Sequence, residues 1–268
     1  MRALREDEEW ARVLIEVELG CPVEQHDDNS AAGMHDLWVR RGQNLEAVEV
    51  VAAADGDCIA LWRLLNGSGE RWTDNRLAGG WRVEFVPTAR AKAIRKDLPG
   101  LLLDLEQAQV DDFTMSDLRP PFRDRVLALG IVRATRGATD FPGSIYPNID
   151  QDAINGLTFQ ESAQVSMPTW VVDFLRAPEQ SDVLAKLARS GVERRYVFIL
   201  VPGFTTAPHS VVSLLLHSDQ PSDLPAPGLP AEVTDVWLAS TWSVGAGLRW
   251  SSDGGWQRFR TDAADTSR

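Results

Sequence analysis

The sequence predicts an α/β protein, and three observations lead to that prediction. Residues 6–19 repeat apolar side chains at helical spacing, residues 35–51 alternate as two short strands around a polar turn, and helices and strands interleave in the second half. With 268 residues, 44% hydrophobic and 25% charged, the chain has the composition of a soluble globular protein with one large or two small domains. No apolar run approaches the roughly 20 residues of a membrane span.

In the first half, the pattern predicts a helix, three strands, a second helical region and a fourth strand. Gly20 and Pro22 end the first helix, because glycine favours a helix C-terminus and proline cannot continue the helix. The elements that follow are the two hairpin strands, a short helix at residues 59–65, strands at 81–86 and 126–134, and helical residues between 88 and 109.

The second half is predicted to alternate between helices and strands and to end in a hairpin. Its helices are expected at residues 170–175 and 181–190, its strands at 195–201 and 234–240, and its hairpin at 247–259. We therefore expect a first domain at residues 1–149, a Trp-rich α/β segment at 150–260 packed against it, and a disordered tail at 261–268.

The hairpin at residues 35–51 is the most informative part of the chain. A two-residue loop pairs Arg41 with Asn44, and a four-residue loop has the same register. In this register Asp36 lies directly opposite Glu49. Carboxylates that face each other across a ladder have Cβ atoms about 5 Å apart and repel, so the pair needs a proton, an arginine or a metal ion.

Two ordinary interpretations of these acidic residues remain open. The pair can be a strand-end pair that Arg40 or His35 neutralises, with no chemical role. Glu46 lies beside the turn and is expected to be solvated.

Charge and composition restrict the class of protein. The net charge of −12 argues against a general nucleic-acid binder, because phosphate neutralisation dominates such binding. Two cysteines, Cys21 and Cys58, are better explained as buried thiols than as a disulfide or a zinc site. The scarcity of lysine beside many Ala, Gly and Asp residues indicates a GC-rich bacterial gene. An N-terminus that turns acidic at once predicts a cytoplasmic protein.

The predicted elements have a characteristic order. An acidic helix is followed by a strand that starts with an Asp, a strand that contains a Glu, and then a strand, a helix and a strand. This order, with Asp36-Leu37-x-Val39 and Ala47-Val48-Glu49-Val50, resembles the PD-(D/E)XK restriction-endonuclease-like superfamily over residues 6–134. The strand pair is similar to that of resolvase-like members. The hairpin and the Gly-Gly-Trp strand also resemble proteins of high-GC actinomycetes, a likeness that implies no activity.

The resemblance implies an α-β-β-β-α-β core and a nuclease that binds Mg²⁺ or Mn²⁺ through Asp36 and Glu49. In this superfamily an acidic residue of the first helix often joins the pair. The candidates for that residue are Glu9 and Glu16 on the helix, or Asp27 and Asp28 on the loop before the hairpin.

The sequence departs from the superfamily at the lysine two residues after the Glu, where it has Val51. The superfamily's lysine lies beside the attacking water and helps to orient or deprotonate it, which a valine cannot do. Lys92 and Lys96 follow the third strand, so their helix can turn one of them toward the site, and we take Lys92 as the catalytic candidate. If no other residue replaces the motif lysine, we expect the domain to have lost its hydrolytic activity.

Two functions follow from these observations. The first is a metal-dependent nuclease acting on DNA or RNA, or a catalytically degenerate relative that only binds nucleic acid. The second is a non-enzymatic protein that uses its Trp-rich second half to bind a protein partner or a second copy of itself. The acidity of the chain, the missing lysine and the C-terminal tryptophans favour the second function. Tryptophans more often pack in a core, which is the other explanation for these four. They are Trp237, Trp242, Trp250 and Trp256.

Overall fold

Residues from both ends of the chain belong to one folded unit, and the middle of the chain forms a second. A computed structural model describes residues 2–67, 72–137, 141–150, 165–216, 224–241 and 247–262. The first unit combines Met1–Ala54 with Phe159–Arg268, and the second unit is Asp55–Thr158. The expected boundary at residue 149 is not the one that the structure has, because a parallel strand pairing joins the hairpin to residues that follow the second unit.

The described helices and strands are interspersed along the chain. In chain order they are α1 (Glu6–Leu19), β1 (Val23–Gln25), β2 (Leu37–Arg41), β3 (Asn44–Ala52), α2 (Gly56–Asn66), β4 (Trp81–Phe85), α3 (Ala91–Gln107), β5 (Asp112–Thr114), α4 (Phe122–Ala128), β6 (Ile131–Arg136), β7 (Ile145–Ile149), α5 (Met167–Arg176), α6 (Ser181–Arg189), β8 (Arg195–Val201), α7 (His209–Leu216), β9 (Asp235–Ser240), β10 (Gly247–Ser251) and β11 (Gly255–Phe259). One turn of 3-10 helix, Pro178–Gln180, separates α5 from α6.

Seven strands form the sheet of the first unit, in the order β1-β2-β3-β8-β9-β10-β11. β3, β8 and β9 run parallel, and all other neighbours run antiparallel. The hairpin has the predicted register, with Arg41 opposite Asn44 and Leu37 opposite Val48, so that prediction is confirmed. Gly42 provides the positive φ of 64° that its two-residue turn requires.

Helices cover both faces of this sheet. α1 packs on the face that bears Val48 and Val50, whereas α5, α6 and α7 pack on the face that bears Ala47 and Val51. Successive side chains of a strand point to opposite faces. Glu49 therefore lies on the face of α5–α7, and α1 lies on the other face.

The second unit has its own four-stranded sheet, in the order β5-β6-β4-β7. The strand expected at residues 81–86 forms as β4 but belongs to this sheet, so it is not the third strand of the α-β-β-β-α-β core that the resemblance implies. The strand expected at 126–134 begins later, because α4 continues to Ala128 and Gly130, with a φ of 68°, ends the helical turn before β6.

The described part of the chain is therefore a mixed α/β protein with one mixed sheet and one smaller separate sheet. Among these residues, no helix combines the length and the apolar character that crossing a membrane requires.

Candidate functional site

Asp36 and Glu49 form a pair of carboxyl groups at the end of the β2–β3 ladder. The register sets position 36 opposite position 49, so the two carboxyl groups face each other across the ladder. Asp36 is 4% exposed and Glu49 is 2% exposed. The backbone N–H of Val50 donates to Asp36 Oδ2 at 2.8 Å and fixes that carboxylate. Two carboxyl groups buried this closely retain a proton or take up a cation.

Lys186 of α6 brings a positive charge to this pair. Its Nζ lies 3.0 Å from Glu49 Oε1 and 3.6 Å from Asp182 Oδ2, and its side chain is 21% exposed. Lys186 is not one of the site residues predicted from the sequence. One signal was available: the chain has only three lysines, and Lys186 is the one outside the basic run before α3.

Burial dominates the electrostatics of the three groups. Desolvation, followed by the neighbouring Asp36 carboxyl group, raises the pKa of Glu49 to about 9, although Lys186 acts in the opposite direction. Burial acts to lower the pKa of Lys186, but the carboxylates of Glu49 and Asp36 outweigh it and raise that pKa. At neutral pH the acid pair therefore retains a proton, and the lysine remains charged.

His35, next to Asp36 in the chain, is a buried neutral imidazole. It is 2% exposed, and its Nε2 has no hydrogen-bond partner among the described residues. Its ring lies 4.2 Å from that of His26 and 4.0 Å from that of Trp38, measured between centroids. Burial first, and then the charges of His26 and Lys186, lower the pKa of His35 to about 3. His35 therefore does not neutralise Asp36 as a cation.

The side chain of Arg189, at the end of α6, lies beside the loop that leads into β2. Gly33 has a φ of 77°, and a Cβ atom there would lie 2.5 Å from a guanidinium nitrogen of Arg189. The positive φ is the feature that favours glycine at this position, because the flexible arginine side chain can move aside.

The structure does not bring the acidic candidates of α1 to the pair. Glu9 and Glu16 both bind Arg12, at 2.7 and 2.6 Å, and they belong to the helix on the opposite face of the sheet. The buried acid of α1 is instead Glu8, which is 1% exposed and contacts arginines near the N-terminus. Of the loop candidates, Asp27 binds Arg2 at 3.0 Å and Asp28 accepts from the Ser30 backbone.

The other lysine candidates lie elsewhere. Lys92 is an exposed residue in the first turn of α3, which belongs to the second unit, and Lys96 is exposed on the same helix. Val51 is partly buried and packs in the core between the sheet and α5–α7. Arg40, a further candidate for neutralising Asp36, binds Glu24 at 2.8 Å instead.

The donor set fits a hard divalent cation only with help from other oxygen atoms. Within the described ranges, no group of three or more His, Cys, Asp or Glu side chains is arranged to hold a metal ion. Mg²⁺ is commonly bound by one or two carboxylates, with water and substrate oxygens completing its shell. Asp36 and Glu49 provide two carboxylates, so the remaining ligands of such an ion would be water or substrate oxygens.

A second buried polar cluster lies on the other face of the same sheet. Glu46 is 5% exposed, accepts a short hydrogen bond from Tyr196 Oη and binds Arg41 at 3.0 Å. The expectation that Glu46 is solvated is therefore wrong, because β8 covers the start of β3. Burial raises the pKa of Tyr196, and Glu46 adds to that effect. Arg194 lies 3.4 Å from Asp235, beside a polar cavity of about 720 Å³ that Glu46 also lines.

The C-terminal tryptophans that the structure describes contribute to packing. Trp237 is 1% exposed and contacts Phe259, with ring centroids 4.9 Å apart. Trp256 packs against the core and donates to the Pro225 carbonyl at 2.9 Å, and Trp250 is half-buried. Trp242 lies outside the described residues.

No protein-family profile, curated protein or solved structure matches this chain significantly.

Proposed function

We propose that the first unit is a divalent-metal-dependent nuclease whose motif lysine is supplied by α6. The contact between Lys186 and Glu49, at 3.0 Å beside Asp36, is the observation on which the proposal depends. It joins two acids and a lysine on one face of the sheet, which is the residue set that the resemblance implies. With Lys186 in the place of the motif lysine, Val51 is compatible with hydrolytic activity.

Each residue has a role that follows from its position. Asp36 and Glu49 would hold the cation, and the proton that they share would leave when it binds. A bound divalent cation would stabilise the negative charge that develops on a phosphoryl oxygen. Lys186 would hold the attacking water by hydrogen bonding and balance part of that charge.

The order of elements in the first unit also supports the proposal. Without the inserted second unit, the first unit runs through α1, β1, β2, β3, α5, α6 and β8. This is a helix, three strands, two helices and a strand, with β1, before the acid pair, in place of the third strand expected at residues 81–86. Asp36 precedes β2 and Glu49 lies within β3, as in the superfamily that the hairpin resembles. Nucleic acid is proposed as the substrate on that resemblance.

The decisive experiment is cleavage of labelled single- and double-stranded DNA and RNA with Mg²⁺ or Mn²⁺. We expect cleavage by the wild type and none by Asp36→Asn or Glu49→Gln. Glu24→Gln is the matched control, because Glu24 is a half-exposed acid on the neighbouring strand β1. Absence of cleavage of every substrate by the wild type, or equal loss in the control, would contradict the proposal.

Metal binding provides a readout that does not depend on cleavage. We expect Mn²⁺ to raise the melting temperature of the wild type and of Glu24→Gln, because a ligand that binds only the folded state stabilises it. Asp36→Asn should show no such rise. A wild type that does not respond to Mn²⁺ would remove the metal site from the proposal.

A further inference from the structure

The second unit has a groove across the outer face of its sheet, opposite to the buried side chains of β4. The groove has a volume of about 650 Å³ and is lined by residues of β4, β6 and β7 and by residues that flank these strands. Its lining residues are Gly80, Arg82, Glu84, Arg133, Thr135, Gly137, Phe141 and Tyr146. It lies within one compact unit, away from the acid pair of the first unit in sequence and sheet.

Two aromatic side chains are exposed in this groove. Phe141 is 55% exposed and Tyr146 is 44% exposed. A Cβ atom at Gly80 would lie 3.1 Å from the Phe141 carbonyl oxygen and 3.7 Å from the Tyr146 ring. A larger residue at that position would crowd the Phe141 backbone and touch the Tyr146 ring, so glycine leaves the groove open beside the rings.

Two arginines lie on the same face. Arg82 is paired with Tyr146 across the β4–β7 ladder and with Thr135 across the β4–β6 ladder. Its guanidinium is 3.4 Å from Glu84, and that of Arg133 is 3.7 Å from Asp112. Both arginine side chains are more than half exposed, at 64% and 52%. Such exposed pairs contribute little stability, so either arginine can exchange its carboxylate for a phosphate.

The charge of the chain is unevenly distributed between the units. Acidic and basic residues nearly balance in the second unit, so most of the net charge of −12 belongs to the first unit. A polyanion is therefore repelled less by the second unit than the net charge of the whole chain suggests.

We propose that this groove binds single-stranded nucleic acid, with bases stacked on Phe141 and Tyr146 and phosphates at Arg82 and Arg133. An exposed ring accepts any unpaired base on its face, and a neighbouring arginine holds the backbone. A duplex hides its base faces, so the rings favour a single strand. This binding site is separate from the acid pair and does not require metal or cleavage.

The test is fluorescence anisotropy of labelled 12-nucleotide oligo-dT and oligo-U with the full chain in EDTA. Because EDTA removes divalent ions, the result is independent of whether the first unit cleaves. We expect Phe141→Ala and Tyr146→Ala to weaken binding about 5- to 150-fold, the range for loss of one stacked base. Tyr146→Phe, which retains the ring, should bind like the wild type.

Controls separate the groove from general effects on folding. Leu127→Ala removes an exposed apolar side chain from α4 of the same unit, at 49% exposure, and should leave affinity unchanged. Arg82→Ala combined with Arg133→Ala should weaken binding and reduce its salt dependence, since each phosphate contact contributes to that slope. Absence of binding, equal binding of ring variants and wild type, or tighter binding of a 12-base-pair duplex would each overturn the proposal.

Discussion

Lys186 on α6 lies beside Glu49 on β3, with Nζ 3.0 Å from Oε1, although the whole second unit separates these residues in the chain. Two residues after Glu49, where the superfamily has its lysine, β3 has Val51, which packs in the core. A helix across the same face of the sheet therefore provides the charge that the strand lacks.

We predict that Lys186→Met lowers kcat for nucleic-acid cleavage by about 100-fold or more, the usual effect of removing one positioned proton-transfer or charge-stabilising group. Lys92→Met is the matched variant, because Lys92 is the lysine that the sequence analysis favoured and it is exposed on α3. It should cleave like the wild type. Cleavage assays with both variants distinguish the two lysines, and a large loss in Lys92→Met alone would reverse the assignment.

The acid pair predicts a stability that falls as pH rises from about 4.5 to about 9. The pKa of Glu49 is about 9 in the folded state and 4.5 as its ordinary value. Between these values the unfolded chain loses this proton more readily, so stability falls as pH rises through that window. In EDTA, Glu49→Gln should gain stability relative to the wild type from pH 5 to pH 8, as measured by urea unfolding. Glu24→Gln should show no such relative gain. If the difference in free energy of unfolding between Glu49→Gln and the wild type is the same at pH 5 and pH 8, the prediction is refuted.

The lowered pKa of His35 predicts that folding stability falls as the pH decreases in the acidic range. Its pKa is about 3 in the folded state and 6.5 as its ordinary value, so only the unfolded chain takes up this proton between those values. Stability should therefore decline as pH falls below 6.5, by about 1.4 kcal/mol per pH unit from this group alone. We expect urea unfolding of His35→Gln to lack this component of the decline. His26→Gln, at a half-buried position, should change the slope less; an equal change in both variants would argue against burial of His35 as the cause.

The hairpin was predictable because its information is local. The turn Gly42-Gln43 and the alternation on either side fix which residues face each other, and this register set Asp36 opposite Glu49. The pairing of β3 with β8 was not predictable in this way, because any buried apolar strand can pair with another.

The parts of the site that the sequence analysis missed depend on that long-range pairing. Lys186 reaches Glu49 only because α6 packs on β3 before the chain enters β8. Glu46 is buried only because β8 lies alongside β3 and contributes Tyr196. Neither residue is distinguished by its immediate neighbours in the sequence.

The contact between Tyr196 and Glu46 leads to a test of the second buried cluster. Tyr196→Phe removes the hydroxyl that donates to a carboxylate with only 5% exposure, and leaves Arg41 as its charged partner. Loss of a hydrogen bond to a buried charged group costs about 1–3 kcal/mol. The chain has two tyrosines, so Tyr146→Phe, at 44% exposure, is the natural control and should change the free energy of unfolding by less than about 0.5 kcal/mol. Urea unfolding of both variants at pH 7 measures the difference, and equal free energies would show that Tyr196 Oη does not stabilise Glu46.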